Sequence, residues 1–457
     1  MRWLPLILIA GCGGEPDDLP IGDPSVLPAI EAWNDGLEPA DLQRKYCKMA
    51  QSPYAFFRGT AHLYWSDLGE DPRLLQFGND QTRTWIQGDA HVQNFGSFDD
   101  DQSTIVYDLN DFDEVLIADH QLDLWRLATS VILLAEESGT LSAPDIDGIV
   151  ESLTEAYLDE IDGLVGNDDE DSARFDEDNT GTVVSDFLDD TEDDKDRIDM
   201  LNTWTRYDDG VRTLDTTHPD LEEPTPDNRS AILDDMDTYL ASLTGGLDAD
   251  PVYFTSVDIA RRRNQGLGSL GVPRFYVLIE GDTPDWWDDR ILDLKRQSAP
   301  SASASDPSLV DSAPFLHHGE RVAVGQRALA LHVDDHLGFL VSGNEAYSVR
   351  ERSPWKNALQ SDELEDLDAL ESAALDWGRI LANAHARADD DFDALQIAHS
   401  FEEALSTRTA GEHGAYRDLT LSVARPYAAH MEQGWLAFEA YLDDTYDFDC
   451  SSELDDG

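Results

Sequence analysis

The chain has 457 residues but only three cysteines (Cys12, Cys47 and Cys450) and five lysines (Lys45, Lys48, Lys195, Lys295 and Lys356). Basic residues number 31 against 96 acidic ones, a formal net charge of −65. A surface so poor in positive charge repels nucleic-acid phosphates and anionic lipid headgroups, and excludes both as partners. Self-repulsion on this scale is best tolerated where salt shortens the Debye length to about 3 Å, near molar ionic strength. The charge therefore describes a salt-adapted, halophilic solvent rather than a chemistry. Three cysteines leave room for one lipid-modified residue and either a single Cys47–Cys450 disulfide or two buried thiols. No apolar run approaches the length needed to span a bilayer.

The nearest approach is the start, MRWLPLILIAGC. One arginine precedes a short apolar run, and Ile9-Ala10-Gly11-Cys12 resembles a bacterial lipoprotein processing site, at which the cysteine becomes lipidated. Residues 1–25 are expected to be signal and tether. The mature protein would then be lipid-anchored in the cell envelope, touching the membrane through Cys12 only. A chance apolar start would leave it cytoplasmic.

At 41% hydrophobic with 11 tryptophans, the chain has ample material for an interior, and its length calls for two lobes. The expected division places a helical lobe at 26–250, with a solvated, mobile acidic insertion at 159–199. A β-rich lobe follows at 251–355, carboxy-terminal helices at 356–440 and a disordered acidic tail at 441–457.

The chemistry concentrates between Trp85 and Ala128. Gly88-Asp89-Ala90-His91-Val92-Gln93-Asn94 sets a carboxylate and an amide five residues apart. A β-prone run, Thr104 to Tyr107, leads into Asp111-Phe112-Asp113-Glu114, and Leu122 to Ala128 opens an apolar helix. Asp99-Asp100-Asp101 reads as a solvated turn, because in a chain this acidic such clusters arise by chance. Asp89, Asn94, Asp111 and Asp113 instead flank apolar residues, where a carboxylate needs a partner or a metal. Transfer of a phosphoryl group from ATP needs this set: a carboxylate to take the acceptor's proton, and an amide oxygen with a carboxylate to hold Mg²⁺. Asp89 suits the base, assisted by His91 or merely braced by it. Asn94, Asp111 and Asp113 suit the metal. The spacing resembles the catalytic loop of protein kinases, and more closely the Gly-Asp-x-His-x-x-Asn form of aminoglycoside and choline phosphotransferases.

A second block lies far downstream. Gly266-Leu267-Gly268-Ser269-Leu270-Gly271 precedes a strand from Arg274 to Ile279, and a second strand from Arg290 ends at Lys295. The glycines lead into a strand rather than a helix, so this is not a Rossmann turn. Glycine loop, strand, turn, strand and lysine resemble the hairpin that covers ATP in a kinase amino-terminal lobe. Gly266, Gly268, Ser269, Gly271 and Lys295 would then face the phosphates. In the helix after Gly319, Glu320 is the only acidic partner on offer for Lys295, with Gln326 and Arg327 as replacements. Ser298 to Ser312 reads as a low-complexity loop. His385 and Arg387 end a long helix, either facing the site or neutralising the helix terminus.

KMAQSPYAFFRGTAHLY, GDAHVQNFGSF and DLNDFDE, in this order, resemble the bacterial family of unknown function DUF2252. Ser52 before Pro53 starts a helix there, and Arg58 is expected either to pair with a core carboxylate, the favoured reading, or to reach a phosphate. Together the resemblances imply an α+β, protein-kinase-like two-lobed fold. It would be circularly permuted, because the catalytic-loop block precedes the glycine-loop block. The function implied is an ATP- and Mg²⁺-dependent phosphotransferase acting on a small-molecule or protein hydroxyl. A nucleotidyl-transfer variant, an envelope binding protein without catalysis and a metal-dependent hydrolase remain as alternatives. The acceptor and the oligomeric state are left open.

Overall fold

The computed structural model describes residues 26–450, apart from 209–210, 245–251, 264–265, 284 and 312–313. Residues 1–25, expected to be signal and tether and including Cys12, and the last seven residues lie outside that range. The chain is α+β. Among the described residues the strands are β1 (Arg83–Ile86), β2 (Phe95–Asp99), β3 (Ile105–Leu109), β4 (Leu116–Asp119), β5 (Thr205–Asp208) and β6 (Val211–Leu214), then β7 (Leu221–Glu222), β8 (Ser256–Arg262), β9 (Arg274–Ile279), β10 (Arg290–Arg296), β11 (Gly338–Ser342) and β12 (Glu345–Glu351).

Two short antiparallel pairs hold the first motif block. β1 pairs with β4, Trp85 opposite Ile117, and β2 pairs with β3, Phe95 opposite Leu109. The loop from β1 to β2 carries Asp89, and the turn from β3 to β4 carries Asp111. These connections lie side by side, and the Asn110 amide donates to the Asn94 carbonyl at 3.0 Å. Beneath them runs the helix Gln121–Ser138, buried along most of its length. A helix apolar on nearly every side is stable only inside a bundle. Here the helices Ala143–Leu164, Leu367–Arg387 and His413–Thr445 supply that bundle. At Gly378 a Cβ would lie 2.5 Å from the Leu153 carbonyl oxygen, so this helix crossing is too close for any side chain. Ser52 caps the helix Pro53–Gly59 through the Ala55 amide, as the Ser-Pro pair predicts.

The second lobe is an antiparallel sheet in the order β11-β12-β10-β9-β8-β7. Alternate residues face opposite sides of a strand. Phe275, Val277 and Ile279 pack with Leu292, Leu294, Ile232 and Tyr239, whereas Tyr276 and Leu278 pack with Ile291, Leu201 and Trp204. Both faces are covered, so the strand sequence reads as a continuous apolar run. Each fully buried side chain of this size contributes about 1.5–3 kcal/mol. The cover comes from residues 197–243, so the β-rich lobe starts near residue 197 and not at 251.

Three further expectations are corrected. The acidic stretch 159–199 is no solvated insertion: the helix Thr182–Asp194 docks Val184, Phe187 and Leu188 into the main core, and Phe175 joins them. Asp100 is buried, accepts the Gln102 and Thr104 amides and pairs with Arg174 at 2.8 Å. The tail is folded as far as Cys450. Tyr446 and Phe448 pack on the core, and Cys450 forms a disulfide with Cys47. The serine-rich loop is likewise anchored, with Ser301 and Ala302 buried.

Candidate functional site

The Asp89 loop is shaped from below. Gly88 has φ +81°, a left-handed conformation that glycine adopts without strain, and a Cβ there would lie 2.3 Å from the Glu114 carbonyl oxygen. The Asp123 carboxylate, buried in the central helix, accepts the Gln87 amide at 2.6 Å and the Gly88 amide at 2.8 Å. His385 Nε2 lies 3.3 Å from the same carboxylate, and its Nδ1 lies 2.9 Å from the Tyr157 hydroxyl. His385 thus supports the loop from behind and does not face the cleft. Arg387 points elsewhere, donating to the Glu170 and Leu329 carbonyls. Gln87 ties the two motif turns together: its Oε1 accepts the Asp89 amide and its Nε2 donates to the Asp111 carbonyl at 2.6 Å.

Asp89 itself pairs with Arg126, whose side chain has no solvent exposure and lies over the rings of Phe57 and Tyr64. Burial pushes the Asp89 carboxyl up to about 6, even against the pull of this cation. Asn94 Nδ2 donates to the Asp89 carbonyl at 2.9 Å, which leaves its Oδ1 without a protein donor among the described residues. His91 Nε2 stands 3.9 Å from Asp89 Oδ2, and its Nδ1 is buried without a partner. Burial, with Arg58 and Arg126 nearby, holds His91 neutral, well below its ordinary pKa.

Asp111 is 39% exposed toward the cleft, and its Oδ1 accepts the Asp113 amide at 3.3 Å. Lys295 reaches down from β10. Its ammonium lies 4.0 Å from Asp111 Oδ2 and closer still to Asp113, whose other oxygen accepts from Gln297 at 2.7 Å. Burial alone would raise the Asp111 carboxyl, but the Lys295, Arg350 and Lys356 cations hold it below the ordinary carboxylate range. Burial and the Asp89 charge push Glu114 up to about 7. Arg321 braces this turn by donating to the Asp113, Val115 and Ser298 carbonyls. Glu320 is not the partner of Lys295. It accepts the Leu316 amide at the start of its own helix, and Asp113 stands in its place. Arg327 donates to the Leu337 carbonyl, while Gln326 lines the cleft beside Lys295.

Gly266, Leu267 and Gly268 border the same opening as Asp89, His91, Asn94, Asp111 and Asp113, a space of about 90 Å³. A Cβ at Gly266 or Gly268 would meet nothing within 4 Å, and neither has a positive φ. Nothing among the described residues demands glycine at either position. Gly271 differs, with φ +81° and Leu37 2.5 Å from where a Cβ would sit. Ser269 closes the short turn Leu267–Ser269. Arg58 lines the cleft without an ion pair among the described residues, and its Nε is buried and unpartnered. The expected structural pairing of Arg58 is therefore replaced by that of Arg126.

Sequence reasoning assigned no role to Asp123, Arg126, Arg321 or Arg350. For the first two a signal existed, since they are the only charges in the apolar stretch Leu122 to Ala135. Two triads of acidic and histidine side chains lie within 4.8 Å of one another among the described residues, Glu155–Asp159–His413 and Asp334–His336–Glu351. Neither includes Asp89 or Asp111, so the set a hydrolase would need (Asp89, His91, Asp111 and Asp113) is not drawn into one ligand cluster.

Residues 37–441 match a family model described as "Uncharacterized protein conserved in bacteria (DUF2252)". No curated protein and no solved structure matches the chain.

Proposed function

The chain belongs to the DUF2252 family, and from that premise and the cleft we propose a kinase-like transferase that moves a phosphorus-containing group from Mg²⁺–ATP to a hydroxyl. The observation that carries this is the meeting of Lys295 with Asp111 and Asp113, from stretches 182 residues apart in sequence, beside Asp89, Asn94 and the glycine turn. The order of the β-rich lobe supports a permuted kinase-like arrangement. A glycine turn joins β8 to β9, the lysine follows on β10, a helix comes next, and β11 and β12 complete the sheet on the far side of β10. The two glycines that the protein's own packing does not require fit a backbone approached by phosphate.

Asn94 Oδ1 and Asp111 suit Mg²⁺, a hard cation that takes few protein oxygens and leaves other positions to phosphate. When bound, the ion would neutralise phosphate charge and orient the reacting phosphorus. Asp89 is placed to accept the acceptor's hydroxyl proton, and Arg126 keeps its carboxylate oriented. Lys295, held by Asp113 without nucleotide, is within reach of a phosphate over Asp111. The Cys12 anchor is proposed alongside, and the Cys47–Cys450 disulfide fits the oxidising compartment such an anchor implies. Cys12→Ser should leave the chain unprocessed and unacylated.

Thermal melting of the full chain in molar salt, with ATP in the presence and absence of Mg²⁺, tests the central reading. ATP should raise Tm only with Mg²⁺, Asp111→Ala should abolish the shift, and Lys295→Ala should reduce it. A wild-type protein indifferent to Mg²⁺–ATP refutes the proposal.

A further inference from the structure

Arg58 borders the opening that holds Asp89, Asn94 and Asp111, yet it forms no ion pair among the described residues. It lies in the last turn of the helix Pro53–Gly59, 5.7 Å over the ring of Tyr54. Its Nε is buried without a partner, and a buried donor left unmet is unfavourable. The glycine turn is seated on the same helix: a Cβ at Gly59 would lie 2.5 Å from Met49 Cγ and 3.4 Å from Leu267 Cδ2. Arg58 therefore stands where the glycine turn meets the Asp89 loop.

Its surroundings give that position weight. Asp89, Asp111, Asp113 and Glu114 line the opening, and Arg58 is the only arginine or lysine among the described residues that do. Arg126, on the Asp89 side, has no solvent exposure and is committed to the Asp89 carboxylate. Burial holds His91 neutral, so it supplies no charge. The Arg58 charge is felt by Asp89 and His91 through space, without an ion pair to either. A phosphoryl group in transfer spreads negative charge over three equatorial oxygens. The Lys295 ammonium, 4.0 Å from Asp111, meets them from the Asp111 side, which leaves the Asp89 side to Arg58.

We propose that Arg58 is a catalytic residue, donating its guanidinium N–H groups to the oxygens of the phosphoryl group as that group moves toward the acceptor. The inference rests on the nucleotide reading above and adds the residue that meets the developing charge. At about 90 Å³ the opening has no room for a nucleoside, so the phosphorus transferred is the terminal one of ATP, which bears none. The acceptor hydroxyl oxygen bonds to that phosphorus, and its proton passes to the Asp89 carboxylate. The bond from the phosphorus to the oxygen bridging toward the β-phosphorus breaks, its electron pair leaving with ADP. Arg58 offsets the charge of the group in passage, where four carboxylates would otherwise repel it.

Calorimetric titration of the full chain in molar salt compares Mg²⁺–ATP, Mg²⁺–ADP, and Mg²⁺–ADP with aluminium fluoride, a stand-in for the phosphoryl group in transfer with water in the acceptor's place. The wild type should bind the fluoride complex about a hundredfold or more tighter than Mg²⁺–ADP alone. Arg58→Ala should lose most of that gain while its Mg²⁺–ADP affinity stays within about twofold of wild type. Arg58→Lys keeps the alkyl stem and the charge but not the planar fork, so it should retain only part of the gain, and it keeps the test valid should the alanine variant fold poorly. A full gain in Arg58→Ala, an equal loss of Mg²⁺–ADP in both variants, or a wild type that gains nothing from fluoride overturns the role of Arg58 and leaves the nucleotide reading standing. Failure of the wild type to bind Mg²⁺–ATP at all removes both.

Discussion

Replacing Asp123 with asparagine tests whether the cleft is held from beneath. Its carboxylate receives the Gln87 amide on one oxygen and the Gly88 amide on the other, with His385 3.3 Å away. The side chain is 1% exposed, so water cannot replace a lost partner. Asparagine offers one acceptor oxygen and turns its NH₂ toward the second amide, leaving a buried N–H unpaired. An unsatisfied buried donor costs about 1–3 kcal/mol, and the surviving bond loses the extra strength of an ionised acceptor. The expected destabilisation is roughly 2–4 kcal/mol. Urea denaturation at fixed salt should show the midpoint falling accordingly. Because Gln87 also orients Asp89 and the Asp111 carbonyl, Mg²⁺-dependent ATP binding should weaken in the protein that remains folded. A variant within about 0.5 kcal/mol of wild type, the range of ordinary surface substitutions, would refute the bracing role.

The Asp89 carboxyl is raised to about 6, so its protonated form is the one the fold favours. Its contribution to stability is fully present below the unfolded value of about 4 and declines as pH rises toward 6. Transfer that uses Asp89 as base should rise through about pH 6 and level off above it, and Arg126→Gln should move that midpoint upward; an unmoved midpoint in a pH–rate profile counts against the pairing. Gly268→Ala should leave the melting temperature unchanged, since no atom lies within 4 Å of the new methyl group, yet weaken ATP; equal affinities would remove the glycine turn from the site. Cys450→Ser, or reduction, releases a cross-link between residues 403 apart and should cost about 2–5 kcal/mol, read as the difference in denaturation midpoint with and without reductant.

Much of the scaffold was legible because it is local. Ser-Pro at 52–53, the apolar stretch Leu122 to Leu134 and the strand runs around Arg274 and Arg290 each carry their signal within a few residues. Backbone geometry needs no more than that to choose helix or strand. The residue types of the site were legible for the same reason: Asp89, Asn94 and Asp111 stand in short, spaced motifs. Partnerships were not. With 96 acidic residues, any cation has many formal partners, and only packing selects one. Lys295 took Asp113 rather than Glu320, whose carboxylate is occupied by the Leu316 amide at the start of its own helix. Asp100 and the stretch 159–199 looked solvated because their charge density hid the few apolar residues that dock them, Phe175, Val184, Phe187 and Leu188. By itself, then, the sequence determined which segments become helix and strand and which carboxylates and amides stand in short, spaced motifs. Only the tertiary structure decided that two blocks nearly two hundred residues apart share one cleft, and which cation meets which carboxylate there, because electrostatic pairing depends on distance through space and chain order does not supply it.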